Sequence, residues 1–358
     1  MSKRIAILTS GGDCAGLNAV MRAAVLRADS LGWEILGIEN GTAGLLDDPP
    51  RYRILKPSDF DGYIMRRGGT ILGTTNSRNP FSYPMPDGDK KDRSDELINT
   101  LKTLDVECLI GIGGDGSFEI LNRLAKQGGL NFIGVPKTID NDVSLTDMSV
   151  GFNSAVAVAT EALDRLQPTA ASHDRIMLLE VMGRDAGHIA LHAGIAGGAD
   201  VILIPEIPYK IENIAKKIIS VKEGGRNFSL IIVSEAVKTP DGQKHQVVYH
   251  GGETRYGGIA DYLGVKLAEL THSEARATVL GHVQRGVDPD HTDRLLASAM
   301  GVKAVELIAE GKFGRMVAWK NRNITDVAIE DAVKKCFTVD PKGVLVHTAR
   351  ALGISFGD

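Results

Sequence analysis

The chain is poor in cysteine: three in 358 residues, an odd number spread over positions 14, 108 and 336. That spacing excludes a disulfide framework and a cysteine metal site, and it fits a reduced thiol population. A basic excess is also missing, since 41 lysines and arginines face 45 acids for a net charge of -4. Nothing is left over to neutralise a nucleic-acid backbone, so no nucleic-acid partner is expected. No apolar run could span a bilayer, and Ile5 to Leu8 is far too short for a signal peptide. The expectation is a cytoplasmic protein without membrane contact. Low-complexity segments and short-period repeats are absent too. What the chain has in quantity is glycine, 41 residues, several of them gathered where apolar runs end.

The length allows two domains with a full core each. Arg4 to Thr9 reads as a buried strand, Ser10 to Gly16 as a glycine turn, Leu17 to Leu31 as a helix and Glu34 to Ile38 as a second strand. Strand, turn and helix in that order announce a parallel α/β sheet, because parallel strands need crossover helices. Residues 43–95, rich in Pro, Asp, Gly and Arg, read as loops forming a site rim, followed by a helix over Asp95 to Leu104. A strand over Val106 to Ile112 leads through Gly113-Gly-Asp-Gly-Ser117 into a helix over Phe118 to Lys126, then a strand over Asn131 to Val135. A helix from Asn153 is expected to stop at Pro168. The second half repeats the rhythm. Strands are expected over Arg175 to Val181, Val201 to Ile204, Phe228 to Ser234 and Ala277 to Leu280, with helices between them and over Asp293 to Ala309. The tail after Gly314 reads as irregular, with one helical piece near Ala328 to Cys336.

Gly111-x-Gly113-x-x-Gly116 is formally a dinucleotide fingerprint, but the acid that should end the next strand is missing from Val135-Pro-Lys137. Gly129-x-x-x-x-Gly134 has P-loop spacing without the Lys and Ser/Thr. A constellation survives these tests. Two glycine turns each carry an aspartate, Asp13 and Asp115, and a third strand end carries Lys137, Thr138, Asp140, Asn141 and Asp142. Parallel strands share one C-terminal edge, so these groups converge there. Amides for phosphate, a carboxylate for a metal ion, a lysine and a candidate base are the parts of a phosphoryl-transfer site. Turn or helix caps are the plainer reading of each aspartate alone.

Leu8-Thr-Ser-Gly-Gly-Asp13, Gly113-Gly-Asp-Gly-Ser117, Pro136-Lys-Thr-Ile-Asp-Asn-Asp142, Glu180-Val-Met-Gly-Arg184 and Ala277-Thr-Val-Leu-Gly-His-Val-Gln-Arg-Gly286 resemble the 6-phosphofructokinase family, in register from residue 4 to about 310. The resemblance implies two Rossmann-like three-layer αβα domains with parallel-rich sheets and an active site in the cleft between them. Residues 1–151 with about 284–335 would bind the donor, and 152–283 with about 336–358 would bind fructose 6-phosphate. It makes Asp140 the base for the sugar 1-hydroxyl and sets Thr138 on the transferred group. Lys137 and Gly116 stand in the catalytic motifs. Gly11, Gly12, Gly113, Gly114, Asp115, Gly116, Ser117 and Arg78 would meet ATP, with Asp115 and Asp142 at Mg2+. Met182, Gly183, Arg184, Glu235, His282 and Arg285 match the sugar-phosphate pocket. Arg175 and Arg276 match arginines that reach a neighbouring subunit's site, which implies a homodimer or homotetramer.

Members that use pyrophosphate carry an aspartate where this chain has Gly116, filling the space of an ATP α-phosphate. Lys137 in turn stands where conventional bacterial ATP enzymes have glycine. The pair resembles the mixed branch called group III, and Gly116 favours ATP over pyrophosphate. Arg78 is displaced from the usual donor arginine. Leu26, Gln167, Gly224 and Phe228 replace expected effector-site cations, with Arg22 kept and Arg27 and Arg226 nearby in sequence, so the usual allosteric responses should be weak or altered. NAD kinases and lipid kinases share a Gly-Gly-Asp-Gly turn but lack Met-Gly-Arg and His-x-x-Arg.

Overall fold

A computed structural model describes residues 3–248 and 254–358. The strands used below are β1 (Arg4–Thr9), β2 (Glu34–Ile38), β3 (Tyr52–Leu55), β4 (Cys108–Gly113), β5 (Asn131–Pro136), β6 (Ile176–Val181), β7 (Val201–Leu203), β8 (Ser229–Ser234), β9 (Ala275–Val279), β10 (Arg315–Lys320) and β11 (Asn323–Ala328). The helices are α1 (Leu17–Asp29), α2 (Ser94–Thr103), α3 (Asp115–Gly128), α4 (Phe152–Ser172), α5 (His188–Ala196), α6 (Ile211–Glu223), α7 (Ile259–Thr271), α8 (His291–Ala309) and α9 (Val344–Ala351). The chain divides into two compact units, Met1–Ser154 with Arg285–Cys336, and Ala155–Gln284 with Phe337–Asp358.

The first unit is built on a seven-stranded sheet of order β11-β10-β5-β4-β1-β2-β3. Its inner pairs, β10 with β5, β5 with β4, β4 with β1 and β1 with β2, are parallel; β11 and β3 close the edges antiparallel. The inner strands are apolar and buried along their middles because both faces are covered. Ala6 and Leu8 join Leu97, Leu101, Phe118, Leu121 and Phe132 in one cluster, fed by α2 and α3. Helices α1 and α8 pack together, α1 against β2 and α8 against β5 and β10, as the other outer layer. Phe118 and Phe132 meet edge to face with ring centroids 6.5 Å apart, and truncating either to alanine should cost ~3–5 kcal/mol.

The second unit has a four-stranded, all-parallel sheet of order β9-β6-β8-β7. Helices α6 and α7 supply Ile214, Ile218, Leu263 and Leu267 to one face, while α5 contacts β7 and β8. Each unit is thus a three-layer αβα body with a parallel-rich sheet. Residues Gln246–Val248 and Thr254–Tyr256 form a separate antiparallel ladder. Among the described residues no helix is long and apolar enough to cross a membrane.

Two expectations fail. Helix α4 passes through Pro168 and ends only at Ser172. A proline inside a helix costs ~3 kcal/mol, and here the last turn is held by packing of buried Ala170 and its neighbour Leu166 against Met177 and Leu230. The tail is also far from irregular. Strands β10 and β11 form a hairpin whose turn residues Asn321 and Arg322 both have positive φ, 50° and 63°. That is the twist-compatible turn that asparagine tolerates, lacking the glycine that usually signals it. The turn of helix over Ile329–Ala332 and α9 follow.

Candidate active site

In the first unit β1 and β4 pair Thr9 with Ile112, and β4 and β5 pair Gly113 with Pro136. The three turns that follow these strands therefore start at one level on one sheet edge. From β1 the chain winds to β2 on one side, and from β4 to β5 on the other. Such a switch point is where doubly wound sheets bind ligands. Asp115 opens α3, where a carboxylate is favoured by the helix dipole, and its Oδ1 accepts from the Gly116 amide at 2.7 Å. Neither Gly16 nor Gly114, which begin α1 and α3, brings a side-chain cap. A Cβ on Gly116 would meet no protein atom within 4 Å.

The first turn is braced from below. Gly11 has φ +81°; its amide donates to Thr75 O at 3.0 Å and its carbonyl accepts from Thr74 Oγ1 at 2.6 Å. Lys137 is buried, and its Nζ donates to the carbonyls of Ser10, at 3.0 Å, and Gly12. Burial holds its pKa below the usual lysine value; Cys14, Asp13 and Asp140 push it back up, while Arg285 adds to the depression. Arg285 donates from Nη1 to Asp13 O at 3.0 Å, and its guanidinium lies so close over Gly12 that a Cβ there would come within 2.9 Å. Arg78 is exposed, with its carbonyl accepting from Thr42 Oγ1 at 3.2 Å.

Beyond β5, Thr138 N donates to Val150 O at 3.2 Å and Val150 N to Pro136 O at 3.1 Å. Asp140 donates its amide to Thr138 Oγ1 at 3.1 Å. Asn141 sits at φ 51°; its Oδ1 accepts from Ser149 N at 2.9 Å and its Nδ2 donates to Asp147 O at 3.1 Å. This backbone is uncommon for a non-glycine residue, and the side-chain bonds hold it. Buried Asp140 and Asp142 are thereby carried on a loop with one shape. Among the described residues no three His, Cys, Asp or Glu side chains form a ready metal cluster.

The second unit gathers the other group. Val181 pairs with Ser234 and Glu180 with Val279, so Met182, Glu235 and the stretch before Arg285 leave neighbouring strands on one edge. Buried Gln284 accepts from Met182 N at 2.8 Å through Oε1. Glu235 Oε1 accepts from the amides of Gly183 at 3.3 Å and Arg184 at 3.1 Å. Arg184 has φ 51° and is exposed, as is His282. Next to Arg184, Asp185 accepts from Tyr256 OH at 2.7 Å. Glu180, whose pKa burial raises, accepts from Gly258 N at 3.0 Å and Ala260 N at 2.9 Å, fixing the start of α7.

Arg175 and Arg276 do not join this group within one chain. They lie at the N-terminal ends of β6 and β9, flanking Glu274, with Arg175 Nε 3.1 Å from its carboxylate. Six residues of strand put roughly 20 Å between the two ends. Two of the effector-type cations are engaged as well: Arg226 pairs with Asp200, and Arg27 lies 3.7 Å from Glu306. Sequence reasoning placed Asn141 among the polar groups of the site and overlooked Gln284; both stand inside the quoted motifs and hold backbone. It also overlooked Asp293, which accepts from Gly151 N at 3.0 Å and from Ser154 N at 2.8 Å to seat the start of α4.

A doubly wound unit with glycine turns and carboxylates at its switch point, in one chain with a second αβα unit bearing an arginine turn, defines a phosphotransferase-type protein. The phosphofructokinase family profile matches residues 4–308. The chain is 55% identical over 357 residues to ATP-dependent 6-phosphofructokinase 1 of Synechocystis sp., covering 99% of both. It is 46% identical to ATP-dependent 6-phosphofructokinase of Chloroflexus aurantiacus, covering 99% of this chain and 98% of that one. Among solved structures, phosphofructokinase from Saccharomyces cerevisiae superposes with a TM-score of 0.78 at 29% identity, covering 99% of this chain and 48% of the yeast chain. A pyrophosphate-dependent phosphofructokinase from Marinobacter aquaeolei, with a TM-score of 0.79 at 22% identity over 99% of this chain and 88% of that one, shares the fold. The chain belongs to the phosphofructokinase family.

Proposed function

We propose that this chain transfers the terminal phosphoryl group of ATP to the 1-hydroxyl of fructose 6-phosphate, making fructose 1,6-bisphosphate and ADP. The relatives named ATP-dependent 6-phosphofructokinase, 46–55% identical over nearly the whole chain, carry this reading. The site geometry supplies its chemistry. Asp140 takes the hydroxyl proton as the sugar oxygen attacks phosphorus and ADP leaves; Thr138, which receives the Asp140 amide, sits beside it. The turns at Gly11–Gly12 and Gly113–Ser117 would cradle the donor phosphates. Asp115 and Asp142, at adjacent strand ends, present the hard oxygens that suit Mg2+, whose part is to neutralise phosphate charge. The first unit is accordingly the donor half. In the second, Arg184, on a turn that Glu235 shapes, and His282 would face the sugar phosphate.

Two observations favour ATP over pyrophosphate. The space at Gly116 is open where an α-phosphate is required. The Lys137 ammonium, which resembles the pyrophosphate branch, is spent on the carbonyls of Ser10 and Gly12. Steady-state rates with each donor test this: turnover with ATP should exceed that with pyrophosphate, and the reverse order overturns the donor assignment. Because Arg175 and Arg276 lie at the opposite strand ends from Arg184, their use in sugar-phosphate binding implies a second copy of the chain, at least a homodimer. An odd number of cysteines, three, suits a reducing cytoplasm.

A further inference from the structure

The turn from Met182 to Gly187 is held at one end by Gln284 and Glu235. Its other end meets Glu206, a residue that follows β7 and lies outside every quoted motif. One oxygen of Glu206, Oε1, accepts from Gly187 N at 2.9 Å and from Val339 N at 2.8 Å. Gly187 closes the turn and begins α5; Val339 belongs to the C-terminal segment 337–358 of the same unit. That segment is pinned again at Phe337, whose carbonyl lies 3.1 Å from His188 Nε2 and whose ring stacks on the imidazole at 4.9 Å. A carbonyl can only accept, so Nε2 carries the proton.

Glu206 forms no ion pair among the described residues, and its Oε2 is buried without a hydrogen-bond partner. A carboxylate placed this way is an expensive means of holding two amides. What it secures is a turn under strain, since Arg184 sits at φ 51°, an uncommon backbone for a non-glycine residue that needs its surroundings to hold it. We infer that Glu206 is a positioning residue for the phosphosugar: it sets the far end of the turn that carries Arg184, with the C-terminal segment as its abutment. This rests on the reading of that turn as the sugar-phosphate side.

The test uses the full-length enzyme and separate KM values for the two substrates. Glu206→Ala should raise the KM for fructose 6-phosphate at least about tenfold, the effect of a small misplacement, and leave the KM for ATP within about twofold. Glu206→Gln, which keeps an acceptor oxygen, should recover most of that loss. Phe337→Ala loosens the abutment with Glu206 intact and should raise the same constant by about threefold. An unchanged acceptor KM in either alanine variant, or equal rises for both substrates, overturns the inference. If Glu206→Ala does not fold, Glu206→Gln and Phe337→Ala still decide it. Wild-type protein inactive on fructose 6-phosphate overturns the functional reading instead; active wild type with unmoved variants overturns only the role of Glu206.

Discussion

On the proposed function, the two sheet edges of this protein solve anion recognition differently. On the first, the residues that begin α1 and α3 are glycines without side-chain caps, and polar side chains such as Lys137 and Thr74 brace carbonyls from beneath. That construction brings glycine backbone rather than side chains to the edge, which suits a chain of phosphates. On the second, carboxylates and an amide side chain bind the turn amides themselves: Glu235 those of Gly183 and Arg184, Gln284 that of Met182, Glu206 that of Gly187. Recognition there falls to side chains, and arginine's planar fork is the group that fits a sugar phosphate. A backbone site tolerates little beyond glycine; a side-chain site needs a rigid turn.

Breaking one edge without the other tests this contrast. Asp140→Ser should have the largest effect, lowering kcat at least ~10²-fold while fructose 6-phosphate binding changes little. Near-normal turnover would remove Asp140 from the chemistry. Gly116→Asp should raise the KM for ATP at least about tenfold by repelling the α-phosphate, with the melting temperature unmoved because the protein leaves that space open. Unchanged ATP affinity would show that the opening serves no donor. Lys137→Met should leave two carbonyls unpaired, cost ~2–3 kcal/mol of stability in denaturant unfolding, and weaken ATP rather than sugar-phosphate binding. Equal weakening of both would erase the distinction between the edges.

The second edge should also carry a pH signature. Burial pushes the His188 pKa down from 6.5 to about 4, with His192 adding to the depression and the Phe337 carbonyl opposing it. The native state then holds fewer protons than the unfolded chain. Stability is fully present above pH 6.5 and is lost as pH falls toward 4, by at most ~3 kcal/mol. Denaturant unfolding at pH 7 and pH 5 should show the loss, and His188→Gln should flatten it. The smallest expected effect is allosteric: because Arg226 and Arg27 face Asp200 and Glu306, ADP and phosphoenolpyruvate should each change the rate less than about twofold, below ordinary coupling. A several-fold response would return those arginines to an effector site.

Much of the fold was legible because its strands are apolar runs, several of them leading into glycine turns, a pattern that local chemistry writes directly. Strand β1 and helix α6 fall where the apolar pattern predicts them. The hairpin of β10 and β11 was not legible, since its turn uses Asn321-Arg322 in place of glycine and its strands gain their order from β5. Nor was the full length of α4, because the packing of Ala170 outweighs Pro168. The candidate site divides in the same way. Residues offering unusual chemistry in sequence, such as Asp115, Asp140 and Arg184, stand out by type and neighbourhood. Residues that shape the site are common polar types: Asn141 holds backbone 6 and 8 positions on, and the partners of Gln284 and Glu206 lie 19 to 133 positions away.

The sequence by itself determined that apolar strands would end in glycine turns bearing acids and arginines, because those properties depend on a few adjacent residues. Only the tertiary structure decided that Lys137 faces carbonyls of the first turn rather than open solvent, that Arg175 and Arg276 stand at the opposite strand ends from Arg184, and that one oxygen of Glu206 joins Gly187 to Val339. The Lys137 and Glu206 contacts join residues 19 to 133 positions apart, and the arginines are separated by the length of their strands; sheet order and packing fix all three.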